Sequence, residues 1–156
     1  MKGKIIAIVV VIVLLFAGLW FANNYKNKSA LEGVDNPYDK SSLKQETIDL
    51  IGDPLYDNII VPDDLEEEID SGQPVTVYFF SPTCSYCQAT TPVLVPLVEE
   101  MDIDMKKLNT LEYGMDQFQI TGTPTLVHYD EGKEVARIIG QQTEDDFRAF
   151  FDEFVK

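Results

Sequence analysis

Apolar and polar positions divide the chain into three regimes. The first is an uninterrupted apolar run from Ile5 to Ala22, IIAIVVVIVLLFAGLWFA. As a helix it reaches roughly 27 Å at about 1.5 Å per residue, the thickness of a thin bilayer core. Trp20, Phe21 and Tyr25 cluster at its far end, where an aromatic belt sits. The run is long for the apolar region of a cleaved signal peptide. Ala22 is followed by Asn23-Asn24-Tyr25 rather than by a small-x-small cleavage site, and no Cys follows that could carry a lipid. The expectation is a signal-anchor transmembrane helix over 5–22 with residues 1–4 in the cytoplasm. Lys2 and Lys4 favour the N-terminal end inside, against a weaker pull from Lys26 and Lys28 on the other flank, so the rest of the chain is placed outside the membrane.

The second regime, residues 23–55, is mostly polar and reads as a tether. Within it Ser42-Leu-Lys-Gln45 has capping-box spacing and predicts a short helix through Ile51, ended by Gly52-Asp53-Pro54.

The third regime, 56–156, alternates strand and helix patterns. Asn58 to Val61 predicts a short strand. Pro62-Asp63-Asp64 opens a helix whose acidic start suits the helix dipole, and Gly72 closes it. Val75 to Phe80, VTVYFF, predicts a buried central strand. A helix follows from about Cys84 to Met101, carrying Pro92 and Pro96. Ile103 to Asn109 predicts a strand and Leu111 to Phe118 a helix. Thr125 to Tyr129 and Glu134 to Ile139 predict a hairpin around Asp130-Glu131-Gly132-Lys133. The last helix begins at Thr143 and lines up Phe147, Phe150, Phe151 and Phe154 on one face, a stripe that belongs against a sheet. The predicted order is βαβαβ, then a hairpin and a closing helix. That is an α/β mixed-sheet sandwich with helices on both faces.

Charge narrows the partners. All 27 Asp and Glu follow the apolar run, and the formal net charge is -15. Such a surface repels phosphate backbones, which makes nucleic acid a poor partner, and keeps the domain soluble. The chain has two cysteines and one histidine, too few for a disulfide scaffold or a structural zinc site. No metal and no cofactor are expected.

The two cysteines form Cys84-Ser85-Tyr86-Cys87. A CxxC pair can bind metal, form an inert disulfide or exchange disulfides. Position favours the third, because the motif follows an apolar strand and opens a helix, where backbone N–H groups and the dipole favour a thiolate on the first Cys. Cys84 is then the exposed nucleophile, and Cys87, one turn in, the resolving thiol. Farther along lies Thr121-Gly122-Thr123-Pro124-Thr125. A proline at a strand start lacks a ladder donor. Either it merely starts the strand, or Thr123–Pro124 is cis and presents the Thr123 backbone beside the cysteines for a substrate chain. His128, within TLVHY, reads as a sheet-face residue rather than a base.

Together these segments resemble the thioredoxin superfamily over roughly residues 56–156. VTVYFF, SPTCSYC and Pro92 resemble its active-site strand and helix. Lys107-Leu-Asn109, the approach Phe118 to Leu126, the turn at Asp130 to Lys133 and Gly140 resemble its later elements. With the apolar run, the whole chain is similar to membrane-tethered bacterial thiol-disulfide oxidoreductases, including those that accompany Gram-positive peptide export. The resemblance implies a thioredoxin fold, no cofactor beyond a redox-active Cys84–Cys87 disulfide, and substrate binding at Thr123 and Pro124. It also implies a proton-transfer supporting role for Lys107, clients that carry thiols or disulfides, and a separate redox-recycling partner. Thr83 stands where the family's usual tryptophan would be, and Tyr78 where its buried acid would be. The direction of exchange stays open, a dedicated reductase for cofactor-attachment cysteines included. The alternative from another class is a non-catalytic accessory protein tethered to an export or envelope assembly.

Overall fold

The computed structural model describes residues 2–31 and 35–156; Met1 and the part of the expected tether at 32–34 lie outside the described residues. The first helix, α1 (Lys2–Leu31), runs past Ala22. Every side chain from Lys4 to Ala22 is exposed, so no other described part of the chain covers this apolar surface. Among the described residues it is the one helix long and apolar enough to cross a membrane.

The sheet is built on β1 (Val75–Phe80), buried at all six positions. Alternation along a strand sends Val75, Val77 and Phe79 to one face and Thr76, Tyr78 and Phe80 to the other. The first face packs on α3 (Pro62–Asp70) through Ile60, Leu65, Leu108 and Val127. The second packs on α4 (Ser85–Glu100) and α6 (Glu144–Phe154) through Leu94, Val98, Phe147 and Phe151. Strand β2 (Met105–Asn109) lies parallel to β1, with Tyr78 opposite Lys107. Strand β3 (Thr125–Asp130) runs antiparallel on the other side, with Tyr78 opposite Leu126, and β4 (Lys133–Ile139) forms the exposed edge. The order is β2-β1-β3-β4. Glu131 and Gly132 both take positive φ in the β3–β4 turn, the geometry that matches hairpin twist. Thr143 and Asp146 form the capping box that starts α6.

Four expectations need correction. Asn58 to Val61 is not a strand of the sheet. It makes an isolated bridge, Ile59 to Lys107, because Asn58 takes a positive φ of 52° and Pro62 starts α3. The βαβαβ order therefore loses its first strand. The helix expected over Leu111 to Phe118 is the single turn α5 (Thr110–Tyr113), ended by Gly114 at φ 81°. The Ser42–Gln45 capping box does not form. Helix α2 is Gln45–Ile48, the residue before it is Lys44, and the Gln45 side chain reaches forward to Asp49 at 2.8 Å.

The polar stretch before residue 56 is also more than a spacer. From Tyr38 onward it packs on the domain, with Tyr38, Leu43 and Thr47 buried. The Glu112 carboxylate, itself 4% exposed, accepts from the Lys44 amide at 2.8 Å and the Thr47 hydroxyl at 2.7 Å. Lys40 lies 3.7 Å away and also bonds the Glu112 carbonyl, while the Tyr113 hydroxyl bonds the Tyr38 carbonyl. Glu112→Ala leaves two of those donors unpaired and should cost about 2–3 kcal/mol. Glu100→Ala, which breaks only the exposed pair with Arg148, should cost less than about 0.5 kcal/mol. Urea unfolding of the full chain in detergent measures both, and equal small losses would show that the 38–50 strap contributes nothing.

Candidate active site

Strand β1 ends at Phe80, whose carbonyl accepts the Thr110 hydroxyl at 3.0 Å. The chain then turns through Ser81-Pro82-Thr83 into α4. That turn is braced by the Cys84 amide on the Ser81 carbonyl (3.1 Å), the Ser81 and Thr83 hydroxyls on each other (3.0 Å), and Gln88 Nε2 on the Pro82 carbonyl (2.8 Å). Cys84 is the N-cap residue of α4 with extended backbone. No side chain caps this end, so the first amides of the helix point toward the sulfur.

Both thiols are free, and their environments differ. Cys84 is half-buried and Cys87 is 1% exposed. Burial alone would push the Cys84 thiol up. Hydrogen bonding with the Thr123 side chain and with the Cys87 and Tyr86 amides outweighs it, so this thiol ionises below its ordinary range. In the protonated state Cys84 Sγ donates to the Thr123 carbonyl at 3.2 Å, a bond it gives up on ionising. Cys87 behaves in the opposite way. Burial dominates and pushes its thiol up to about 11.

The Thr123–Pro124 peptide is cis. It sits against Cys84, and the loop is fastened by Thr125 Oγ1 on the Gly122 carbonyl (2.8 Å) and the Gly140 amide on the Pro124 carbonyl (2.8 Å). Gly140 holds φ 84°, which a side chain would strain. Thr123 is partly exposed and Pro124 buried. The structure thus brings Cys84, Cys87 and Thr123–Pro124 together.

Lys107 is on the same sheet face, but its amine is bound by the Asp57 carboxylate at 2.9 Å and carbonyl at 3.0 Å. His128 lies at the other end of β1, buried, with Nδ1 2.9 Å from the Thr76 hydroxyl. Burial holds its imidazole below the ordinary range. Sequence reasoning assigns no role to three residues beside Cys87. Tyr78 stands out in the sequence only through the resemblance, which implies a buried acid at its position. Thr91 carries a signal, its i+4 spacing from Cys87, whereas Tyr56 arrives by tertiary packing from outside the α4 region. Among the described residues no group of His, Cys, Asp and Glu could hold a metal ion.

A dithiol split between a helix N-terminus and a sealed first turn, on a mixed sheet with helices on both faces, defines a class of α/β protein. Comparison with known proteins gives that class its family. The family model described as Thioredoxin matches residues 58–153, and the chain belongs to that family and has its fold. It is 34% identical over 90 residues to thioredoxin of Chlamydia muridarum, covering 56% of this chain and 87% of that protein. It is 29% identical over 101 residues to protein disulfide-isomerase of Datisca glomerata, covering 60% of this chain but only 20% of that protein. The chain therefore spans about a fifth of the disulfide-isomerases it matches. Chlamydomonas reinhardtii thioredoxin f2 superposes with a TM-score of 0.54 at 25% identity, over 61% of this chain and 93% of that one.

The unequal thiols give a labelling prediction. At pH 7 iodoacetamide should modify Cys84 at least about tenfold faster than Cys87, because only Cys84 combines access with a lowered pKa. As pH rises, Cys84 labelling should plateau first. Peptide mass spectrometry reads the two sites, and equal labelling would contradict the assigned asymmetry.

Proposed function

We propose that this protein is a membrane-anchored thiol-disulfide oxidoreductase acting on exported or envelope proteins outside the cytoplasm. One observation supports it above the others. Cys84 is accessible with a favoured thiolate, and Cys87 is sealed one helical turn behind it. Cys84 attacks a client disulfide, forming a bond to one client sulfur and releasing the other as a thiolate. Cys87 then attacks Cys84, closing the Cys84–Cys87 disulfide and releasing the second client thiol. Two electrons pass from the dithiol to the client, and the reverse sequence oxidises a client. Thr123 and Pro124 flank Cys84 and offer backbone to an extended client segment.

The anchor rests on α1. A 19-residue apolar stretch with no cover from the other described residues reaches about 28 Å as a helix, enough for a bilayer core. Lys2 and Lys4 favour the inner side. Residues from 56 onward form the exchanging domain, and the strap before them joins it to the anchor.

Two measurements test this reading. Cys87→Ser should accumulate client adducts on non-reducing gels, and Cys84→Ser should not. No adducts in either variant, with no exchange by the parent, would favour a non-catalytic tethered role. The parent should also stay in the membrane pellet after a high-salt wash, and full-length protein in the medium would remove the anchor from the account.

A further inference from the structure

Helix α4 has no charged face. From Ser85 to Val98 it carries no charge at all, in a chain with 27 Asp and Glu and 12 Lys and Arg. One side is core, with Cys87, Leu94 and Val98 buried. The opposite side holds Tyr86, Ala89, Val93 and Pro96, spaced i, i+3, i+7 and i+10, and all four are exposed. Tyr86 is 62% exposed and Val93 38%. A helix that is apolar all round is normally covered all round, yet among the described residues nothing covers this side.

The backbone adds acceptors to the stripe. Pro92 and Pro96 have no N–H, so the carbonyls of Gln88 and Pro92 lose their helical donors, and both residues are exposed. Single apolar residues are ordinary on any surface, and a proline can serve only to bend a helix. Here four apolar residues stand in one line, and the first charges come at Glu99 and Glu100, which makes a contiguous patch.

Size and place select the occupant. A stable interface uses about 20–30 residues a side, far more than one helix face supplies, so the contact needs a second hold. Cys84, the N-cap residue of α4, stands at the end of the stripe. A client bonded to its sulfur is kept beside Tyr86 at high effective concentration. From Cys84 to Val93 the helix rises roughly 14 Å, the span of about four extended residues. An apolar segment laid there desolvates no charge.

We propose that the outer face of α4 docks the apolar residues flanking a client's cysteine while that cysteine is bonded to Cys84. This deepens the exchange reading and rests on it, and it names the substrate class: polypeptides with apolar residues next to the reacting cysteine. Tyr86 and Val93 cover client side chains, and the carbonyls of Gln88 and Pro92 accept from client N–H groups. The chemistry is unchanged. Cys84 bonds to the client sulfur, the other sulfur leaves with the electron pair, and Cys87 closes the internal disulfide.

The test uses the full chain in lipid nanodiscs, free of detergent. Two short peptides carry a central cysteine as its thionitrobenzoate disulfide, one flanked by alternating Leu and Gly, the other by alternating Ser and Gly. Attack by Cys84 on the peptide sulfur releases coloured thionitrobenzoate. The Leu peptide should react about tenfold faster at low concentration, the effect of partly burying one or two leucines, with the difference in KM. Val93→Glu and Val93→Lys should each bring the ratio to within about twofold by slowing the Leu peptide, and agreement between opposite charges removes an electrostatic cause. Val135→Lys, at an exposed apolar position of β4, should keep the tenfold ratio. Equal rates for both peptides in the parent, or a preference that survives both Val93 variants, would overturn the docking and leave the exchange reading standing. Release from neither peptide would overturn both. Native mass spectrometry checks the other occupant: dimers that Val93→Glu separates would assign this face to a second copy and overturn the proposal.

Discussion

Strand β1 is buried at six consecutive positions, so it must present a matching side chain to each of two cores at once. A slip of one residue would exchange Val77 and Phe79 for Thr76, Tyr78 and Phe80 and mismatch both cores together. That seating fixes where β1 stops. It therefore fixes where the braced turn 81–83 releases the chain into α4 and where Cys84 meets the first helical amides. The same seating brings the Tyr78 hydroxyl to Thr91 of α4. The thiols, the Thr123–Pro124 loop and the hydroxyls behind Cys87 all depend on this one strand holding its register.

From that placement the two thiols diverge by position alone. Cys84 gains hydrogen bonds that favour its anion, and Cys87, three residues on, is surrounded by core and loses hydration. Neither effect needs a charged neighbour. The acidic surface, with its net charge of -15, sits outside this balance and acts at longer range, through solubility and the choice of partners.

Much of this architecture is legible in the amino-acid sequence. VTVYFF, the CxxC at a helix start, the hairpin around Gly132 and the aromatic face of α6 are local patterns, and local patterns survive folding. Thr123–Pro124 can be placed beside the cysteines only by resemblance, since 35 residues separate Cys87 from Thr123 and nothing local records that contact. The strap is hidden for the same reason. Its polar composition suggests a spacer, yet Tyr38, Leu43 and Thr47 are buried, and Glu112 of α5 supplies the acceptor for Thr47. The lost strand at 58–61 and the short α5 are decided by backbone, a left-handed Asn58 in one case and Gly114 in the other. Lys107, whose supporting role comes from the resemblance alone, has its amine bound by Asp57, a partner that no local pattern marks.

The central claim is that Cys84 and Cys87 form one reversible two-electron couple. Equilibrating the full chain across a series of glutathione redox buffers, quenching with acid and weighing the intact protein tests it directly. The account predicts a single transition from the dithiol to a species lighter by two hydrogen atoms, with Cys84 and Cys87 joined and the slope of a two-electron couple. A dithiol that persists across the whole series, or glutathione adducts on both cysteines without an internal disulfide, would contradict it.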